Sequence, residues 1–340
     1  MIMIFTKEIF ASVLRGAYEA YENQDGTLSA RRFTENQQKV IADKLPTVPY
    51  HNAGMRLDFY TDAQSLTMSF YYAHLTSRMF MSIDVYEDRV MTYSYTEGNT
   101  VDNHTGAFTH TFEKKGRKRV SVYLPYTADL AFDKIELVGE SYIEPYTDYR
   151  GYIYMMGDSI THGYDAERAS QTYANIVMRH LDLDGINQGA AAYTFHSESL
   201  DPALFKGKRQ PDIITIAYGT NDWNGKTHVN FCRDIDEYFA RLREIYPTVP
   251  VLVITPIYRA SYYIPTQAGT FEFAREYLTA TAKKYDGIYV LDGDKMVPHV
   301  YDYFRDVRLH PNDAGFATYG MLVSDAVAEI LDIRPRVDFI

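Results

Sequence analysis

The chain has 340 residues, 46% of them hydrophobic and 23% charged, which gives enough apolar mass for a packed core. Its net charge of −11 is spread along the sequence and not gathered in blocks, which argues against nucleic acid or an anionic membrane surface as the partner. The single cysteine, Cys232, excludes an intrachain disulfide and a cysteine-based zinc site.

The amino-terminal Met1-Ile2-Met3-Ile4-Phe5 is apolar for five residues before Lys7-Glu8, too short for a signal-peptide core. No run is read as reaching membrane-spanning length, so cytoplasmic residence is expected. Residues 1 to about 145 read as short strands, in keeping with a load of 31 tyrosines and 18 phenylalanines. Ala17-Tyr18-Glu19-Ala20-Tyr21-Glu22 and Leu28-Ser29-Ala30-Arg31-Arg32-Phe33 flank Asn23-Gln24-Asp25-Gly26, a connection of hairpin type. Thr34-Glu35-Asn36-Gln37 has capping-box spacing and predicts a brief helix through Ala42. Alternation follows in Met55–Tyr60, Leu66–Phe70, Met81–Val85, Phe108–Phe112, Val120–Leu124 and Ile135–Leu137. Apolar residues at every second position predict antiparallel sheets with one buried face, arranged as a β-sandwich of jelly-roll type.

After Tyr142 the rhythm changes. Strand-like runs Tyr152–Met156, Ile186–Gln188, Ile213–Tyr218, Val251–Thr255 and Ile288–Leu291 alternate with helix-like segments near 171–181, 228–246, 269–285 and 312–331. That repeat predicts an α/β unit with a five-stranded parallel sheet covered on both faces. The boundary is expected between Gly139 and Tyr149, dividing the chain into residues 1–145 and 146–340.

In a parallel sheet, the residues that end each strand converge on one rim, where ligands bind. The first strand runs into Gly157-Asp158-Ser159-Ile160-Thr161-His162-Gly163, and the second ends Asn187-Gln188-Gly189-Ala190. The third runs into Gly219-Thr220-Asn221-Asp222, and just before the last helix comes Asp306-Val307-Arg308-Leu309-His310-Pro311-Asn312-Asp313. A serine hydroxyl, a backbone N–H at a glycine, a side-chain amide and an imidazole are the parts that acyl transfer through a serine requires.

Those four stretches, in that order, resemble the SGNH branch of the GDSL hydrolases over about residues 150–335. The resemblance implies an SGNH-type α/β/α sandwich, with Ser159 as nucleophile and His310 as base. It implies an oxyanion hole made by the N–H groups of Ser159 and Gly189 with the Asn221 amide. The family's aspartate ordinarily stands three residues before the histidine, a position held here by Val307. A loop longer by one residue would aim Asp306 at the imidazole instead, and a backbone carbonyl in its place would leave a Ser159–His310 dyad. Asp302 and Asp313 are weaker candidates.

Asp158 is expected to brace the serine turn. Trp223, the only tryptophan, stands either at the mouth of the site as a platform for a sugar ring or in the core. His162, His180 and His196 lack ligand spacing, so neither a metal nor another cofactor is expected. Cys232 reads as an inert thiol on an amphipathic helix. A β-sandwich ahead of an SGNH domain looks like the family 2 carbohydrate esterases, which implies a small acyl ester, of acetate above all, on an oligosaccharide or other small molecule. The alternatives are a lipid or thioester acylhydrolase and a catalytically silent glycan-binding protein.

Overall fold

The structure, a computed structural model, describes residues 2–99, 101, 104–139 and 142–334. It divides into two compact units. One comprises the residues up to Phe33 with Thr47–Tyr149 and Glu167–Ser170; the other comprises Thr34–Pro46, Arg150–Ala166 and the chain from Gln171 onward.

In the first unit the alternating segments pair into two antiparallel sheets. One has the order Glu19–Glu22, Leu28–Arg31, Ala128–Val138, Ser65–Leu75, Thr105–Thr111, with Ile2–Ile4 also paired to Ala128–Val138. The other runs Glu144–Pro145, Arg56–Thr61, Lys118–Tyr123, Phe80–Glu87, Val90–Gly98, with Leu14–Arg15 on Arg56–Thr61. Period-two burial is clearest in Thr105–Thr111, where Gly106, Phe108 and His110 are buried and the residues between them exposed. Leu57, Phe59, Ile83, Val85, Val120 and Val122 of one sheet share a single apolar cluster with Leu66, Met68, Phe70, Leu130, Phe132 and Ile135 of the other. Residues 167–170 belong here because the Ala169 and Ser170 N–H groups donate to Ser82 Oγ (2.6 Å) and Asp84 Oδ2 (2.8 Å).

The second unit holds a five-stranded parallel sheet in the order Asp184–Gly189, Tyr152–Gly157, Ile213–Ala217, Val251–Ile254, Ile288–Leu291. The chain steps outward from Tyr152–Gly157 to one neighbour and then crosses to the other. The carboxyl end of Tyr152–Gly157 is therefore the topological switch point. Two helix pairs cover the faces of this α/β/α arrangement. Tyr173–Leu181 packs on Asp313–Leu331, with Tyr173 and Tyr319 stacked at 4.3 Å. His228–Ile245 packs on Phe271–Ala282, where the Tyr277 hydroxyl donates to Asp236 Oδ2 (2.7 Å). One expectation is corrected here, since Asp313–Leu331, with a mean hydropathy of 1.2, is long and apolar enough to cross a membrane. It serves as a core helix, with Phe316, Tyr319, Gly320, Val323 and Val327 buried.

The helix Glu35–Ala42 also belongs to this unit. Its capping box forms, Thr34 Oγ1 accepting from the Gln37 N–H and Gln37 Oε1 from the Thr34 N–H, both at 3.1 Å. The buried Gln37 amide then donates to Gln188 Oε1 and to the Ser199 carbonyl, both at 2.9 Å, and Gln188 Nε2 returns a bond to Gln37 Oε1. Ser199 follows the sheet's edge strand and Gln188 lies within it. Hydrogen bonds therefore tie the helix to the edge strand's Gln188 side chain and to the segment that follows that strand.

Candidate active site

The strand Tyr152–Gly157 ends one residue before a four-residue helix, Ser159–His162. The helix starts because Asp158 caps it, Oδ1 accepting from the Ile160 N–H (2.9 Å), and stops at Gly163, whose φ of 110° suits glycine. Ser159 is its first residue, so its N–H has no partner within the helix, and it donates to no other group among the described residues.

His310 reaches this serine from the loop before the last helix, with Nε2 2.9 Å from Ser159 Oγ and Nδ1 2.7 Å from Asp306 Oδ2. An ionised carboxylate only accepts, so Nδ1 carries the proton and Nε2 is the acceptor for the serine O–H. The extra residue in the loop is Val307, at φ 51°, a conformation costly for a β-branched residue. What holds it is Asp306 Oδ1, which accepts from the N–H groups of Arg308 (2.9 Å), Leu309 (2.8 Å) and His310 (3.0 Å). Burial pushes the Asp306 carboxyl up, but the bonds from His310, Leu309 and Arg308 outweigh it and hold the group well below the usual carboxylate range. Asp302 offers its backbone carbonyl to Asn312 Nδ2 (2.6 Å), and Asp313 opens the last helix.

The donors near the serine differ from the expectation at one position. The Gly189 N–H donates to Asn187 Oδ1 (2.8 Å), closing a local turn, so it is committed within its own strand end. A side chain at Gly189 would meet the His162 nitrogen at 2.3 Å, so this glycine is required by close packing against the short helix. The next N–H groups are spoken for in turn: Ala190 bonds the Gly157 carbonyl, Ala191 bonds His162 Nδ1 (3.2 Å), and Tyr193 bonds the Ala190 carbonyl. Ala192 is the exception. It is exposed, sits at φ 60°, and its N–H donates to no group among the described residues. Sequence reasoning missed it because a backbone donor leaves no mark in residue identity, and alanine gives no hint of positive φ.

Asn221 follows the third strand on the helix Thr220–Gly225, and Nδ2 donates to the Tyr193 carbonyl (3.1 Å). One amide hydrogen is thus used to hold the side chain to the Ala192 loop, and the other is left for a ligand. Asp222 steadies the same loop, accepting from the Phe195 N–H (3.0 Å) and from Lys226 Nζ (2.7 Å). The expectation of a Trp223 platform is corrected. The ring is 1% exposed, its Nε1 donates to the Gly269 carbonyl (2.9 Å), and it packs edge-on against Phe271 with the Arg259 guanidinium over it.

Asp158 is 2% exposed, and burial pushes its carboxyl up to about 7, the Ile160 N–H opposing only in part. One further carboxylate, Asp165, lies near the imidazole. Asp165, Asp306 and His310 present donor atoms within 4.8 Å of one another, close enough to hold a metal ion, and the Nδ1 atom of that group is the one bonded to Asp306.

Residues 155–318 match the sequence model of the GDSL-like lipase/acylhydrolase family. The whole chain is similar in fold to the salicylyl-acyltransferase SsfX3 from a tetracycline biosynthetic pathway, with TM-score 0.81, 20% identity, and coverage of 98% of this chain and 99% of that one. It is also similar to a family two carbohydrate esterase from Cellvibrio japonicus, with TM-score 0.66, 14% identity and coverage of 98% of each chain. A third is the acetyl xylan esterase Est2A from the rumen bacterium Butyrivibrio proteoclasticus, with TM-score 0.64, 12% identity, and coverage of 98% and 99%. At these identities the likeness is one of fold. No curated protein matches the chain in sequence.

Proposed function

We propose that the chain, whose residues 155–318 match the sequence model of the GDSL-like lipase/acylhydrolase family, is a serine esterase removing small acyl groups, acetate above all, from carbohydrate. The observation that carries this reading is the line from Ser159 Oγ through His310 to Asp306, at 2.9 and 2.7 Å. His310 Nε2 takes the serine proton as Oγ attacks the ester carbonyl, and Asp306 fixes the tautomer and stabilises the imidazolium. The N–H groups of Ser159 and Ala192 and the amide of Asn221 receive the tetrahedral oxyanion. The alcohol leaves with the proton held on His310. Water then adds to the acyl-enzyme, gives its proton to the same nitrogen, and releases acid and serine.

Carbohydrate as the carrier is supported by the full-length likeness to esterases named for it. The same acyl-enzyme passed to a hydroxyl in place of water would give acyl transfer, the activity named for the first of the similar folds. The test is acetate release from acetylated xylo-, manno- and gluco-oligosaccharides, beside hydrolysis of p-nitrophenyl acetate and octanoate. Acetate esters are expected to be cleaved and the octanoate at least about tenfold more slowly; Ser159→Ala should lower every rate by about 10⁴-fold or more. Unchanged hydrolysis by Ser159→Ala would end the serine-esterase reading, and a preference for octanoate would point to a lipid acylhydrolase.

The oxyanion donors can be separated by substitution. Asn221→Ala is expected to slow kcat by roughly 100-fold, the ~3 kcal/mol one such donor is worth. Ala192→Gly keeps the N–H and favours positive φ, so activity should stay within about threefold. Ala192→Pro removes the N–H and forbids that φ, and its kcat should fall at least as far as that of Asn221→Ala.

A further inference from the structure

We infer that Asp165 is a second positioning carboxylate for His310, sharing the imidazole Nδ1–H with Asp306; the inference rests on the serine-esterase reading above. Asp165 Oδ2 lies 3.5 Å from Nδ1, against 2.7 Å for Asp306 Oδ2. The two carboxylates arrive from different parts of the chain. Asp306 stands on the histidine's own loop, whereas Asp165 is three residues beyond the helix that begins with Ser159. The backbone at Asp165 is left-handed, φ 76°, a conformation that aspartate and asparagine tolerate better than most residues. The same loop brings Tyr164 to the imidazole, its ring 5.9 Å from that of His310. Asp165 is 4% exposed, so its charge is felt at Nδ1 through protein more than through water.

Two carboxylates around one nitrogen repel each other, and a proton between them is what makes the arrangement favourable. The attraction is greatest when the ring carries both protons, the state reached once the Ser159 proton has been taken. Asp165 therefore adds to the transition state more than to the resting enzyme, and it links the serine's loop to the base. A lone orienting carboxylate is worth about 10⁴ in kcat. If Asp165 shares that work, losing Asp306 alone costs less.

The experiment compares kcat and KM for p-nitrophenyl acetate in the full-length wild type, Asp165→Asn, Asp306→Asn and the double variant, with thermal melts for each. Asparagine keeps the left-handed preference at 165 and an acceptor oxygen at 306, so the substitutions remove charge and leave the loops in place. Expected are a roughly tenfold fall in kcat with unchanged KM for Asp165→Asn, about 10²-fold for Asp306→Asn, and 10⁴-fold or more for the double variant. The low-field proton resonance of the imidazole N–H should survive in Asp306→Asn and vanish in the double variant. Asp165→Glu should recover part of the loss, and Asp165→Ser stands in for Asp165→Asn if that protein fails to fold, lowering kcat with the resonance intact. A double variant no slower than Asp306→Asn overturns the inference, as does Asp165→Ser with wild-type kcat if Asp165→Asn cannot be made. Wild-type hydrolysis by Ser159→Ala would instead sink the esterase reading itself.

Discussion

A chain shortened to residues 150–340 is expected to be far less stable than the full chain, although it keeps Ser159, Ala192, Asn221, Asp306 and His310. The unit that carries those residues also includes Thr34–Pro46, and its helix Glu35–Ala42 closes the hydrogen bonds of Gln188 and Ser199. The shortened chain loses the burial of Ile41, worth about 1.5–3 kcal/mol, together with the bonds Gln37 makes and the bond from Thr34 Oγ1 to Asp201 Oδ2 (2.5 Å). Each such bond contributes about 1 kcal/mol. The sum is a large part of the roughly 5–15 kcal/mol that holds a domain together. Gln37→Ala in the full chain isolates one component. It removes the bonds that Gln37 makes to the buried Gln188 amide and to the Ser199 carbonyl, while Tyr154 still donates to Gln188 Oε1, and should cost about 1–3 kcal/mol in urea unfolding. A shortened chain that melts with the full-length protein would show that the helix contributes nothing essential.

Asp158→Asn is expected to stabilise the protein at pH 8 and to leave it unchanged at pH 4. Burial raises the Asp158 carboxyl in the folded state to about 7, from an ordinary value of 3.8. Between those values the folded chain holds a proton that the unfolded chain has released, so stability falls as pH rises. The favourable contribution is complete below about pH 4 and gone above about pH 7. At 1.36 kcal/mol for each unit, the difference is on the order of 2–4 kcal/mol. Asparagine cannot ionise and still accepts the Ile160 N–H, so the helix cap survives while the slope disappears. Comparing the two proteins cancels other titrating groups, such as Asp129, which burial alone raises to about 8. Urea unfolding from pH 4 to pH 8 checks this, and a difference between the two proteins that does not change with pH would refute it.

Much of the fold was legible because it rests on periodicity. The alternating segments became strands where one face is apolar and the other polar. Val90–Gly98 escaped notice because none of its tyrosines and threonines is buried, leaving no contrast to read. The helix Lys7–Val13 escaped because two turns are too few for a stripe, although Thr6 caps it by accepting from the Ile9 N–H. At the candidate site, Ser159 and Asn221 were visible as side chains of distinctive chemistry following strand ends, and His310 as an imidazole in the loop before the last helix. Gly189 drew attention as a glycine, and its glycine proves to be needed for packing, whereas the uncommitted N–H belongs to Ala192. Asp165 was passed over because nothing in its spacing from His310 shows that the two loops meet. Trp223 was ambiguous for a plain reason: whether a tryptophan faces solvent depends on what Gly269 and Phe271 do, far along the chain.

The interleaving of the two units bears on how the polypeptide is made. Helix 35–42 leaves the ribosome more than a hundred residues ahead of Tyr152–Gly157, the first strand of the sheet it will join. At about 5–20 residues per second, that is a wait of roughly 5–20 seconds. Over the same interval the two antiparallel sheets are synthesised almost whole, yet they still lack residues 167–170. The first unit cannot finish before synthesis has passed residue 170, half-way along the chain, and the second cannot finish before its last helix, Asp313–Leu331, has been made.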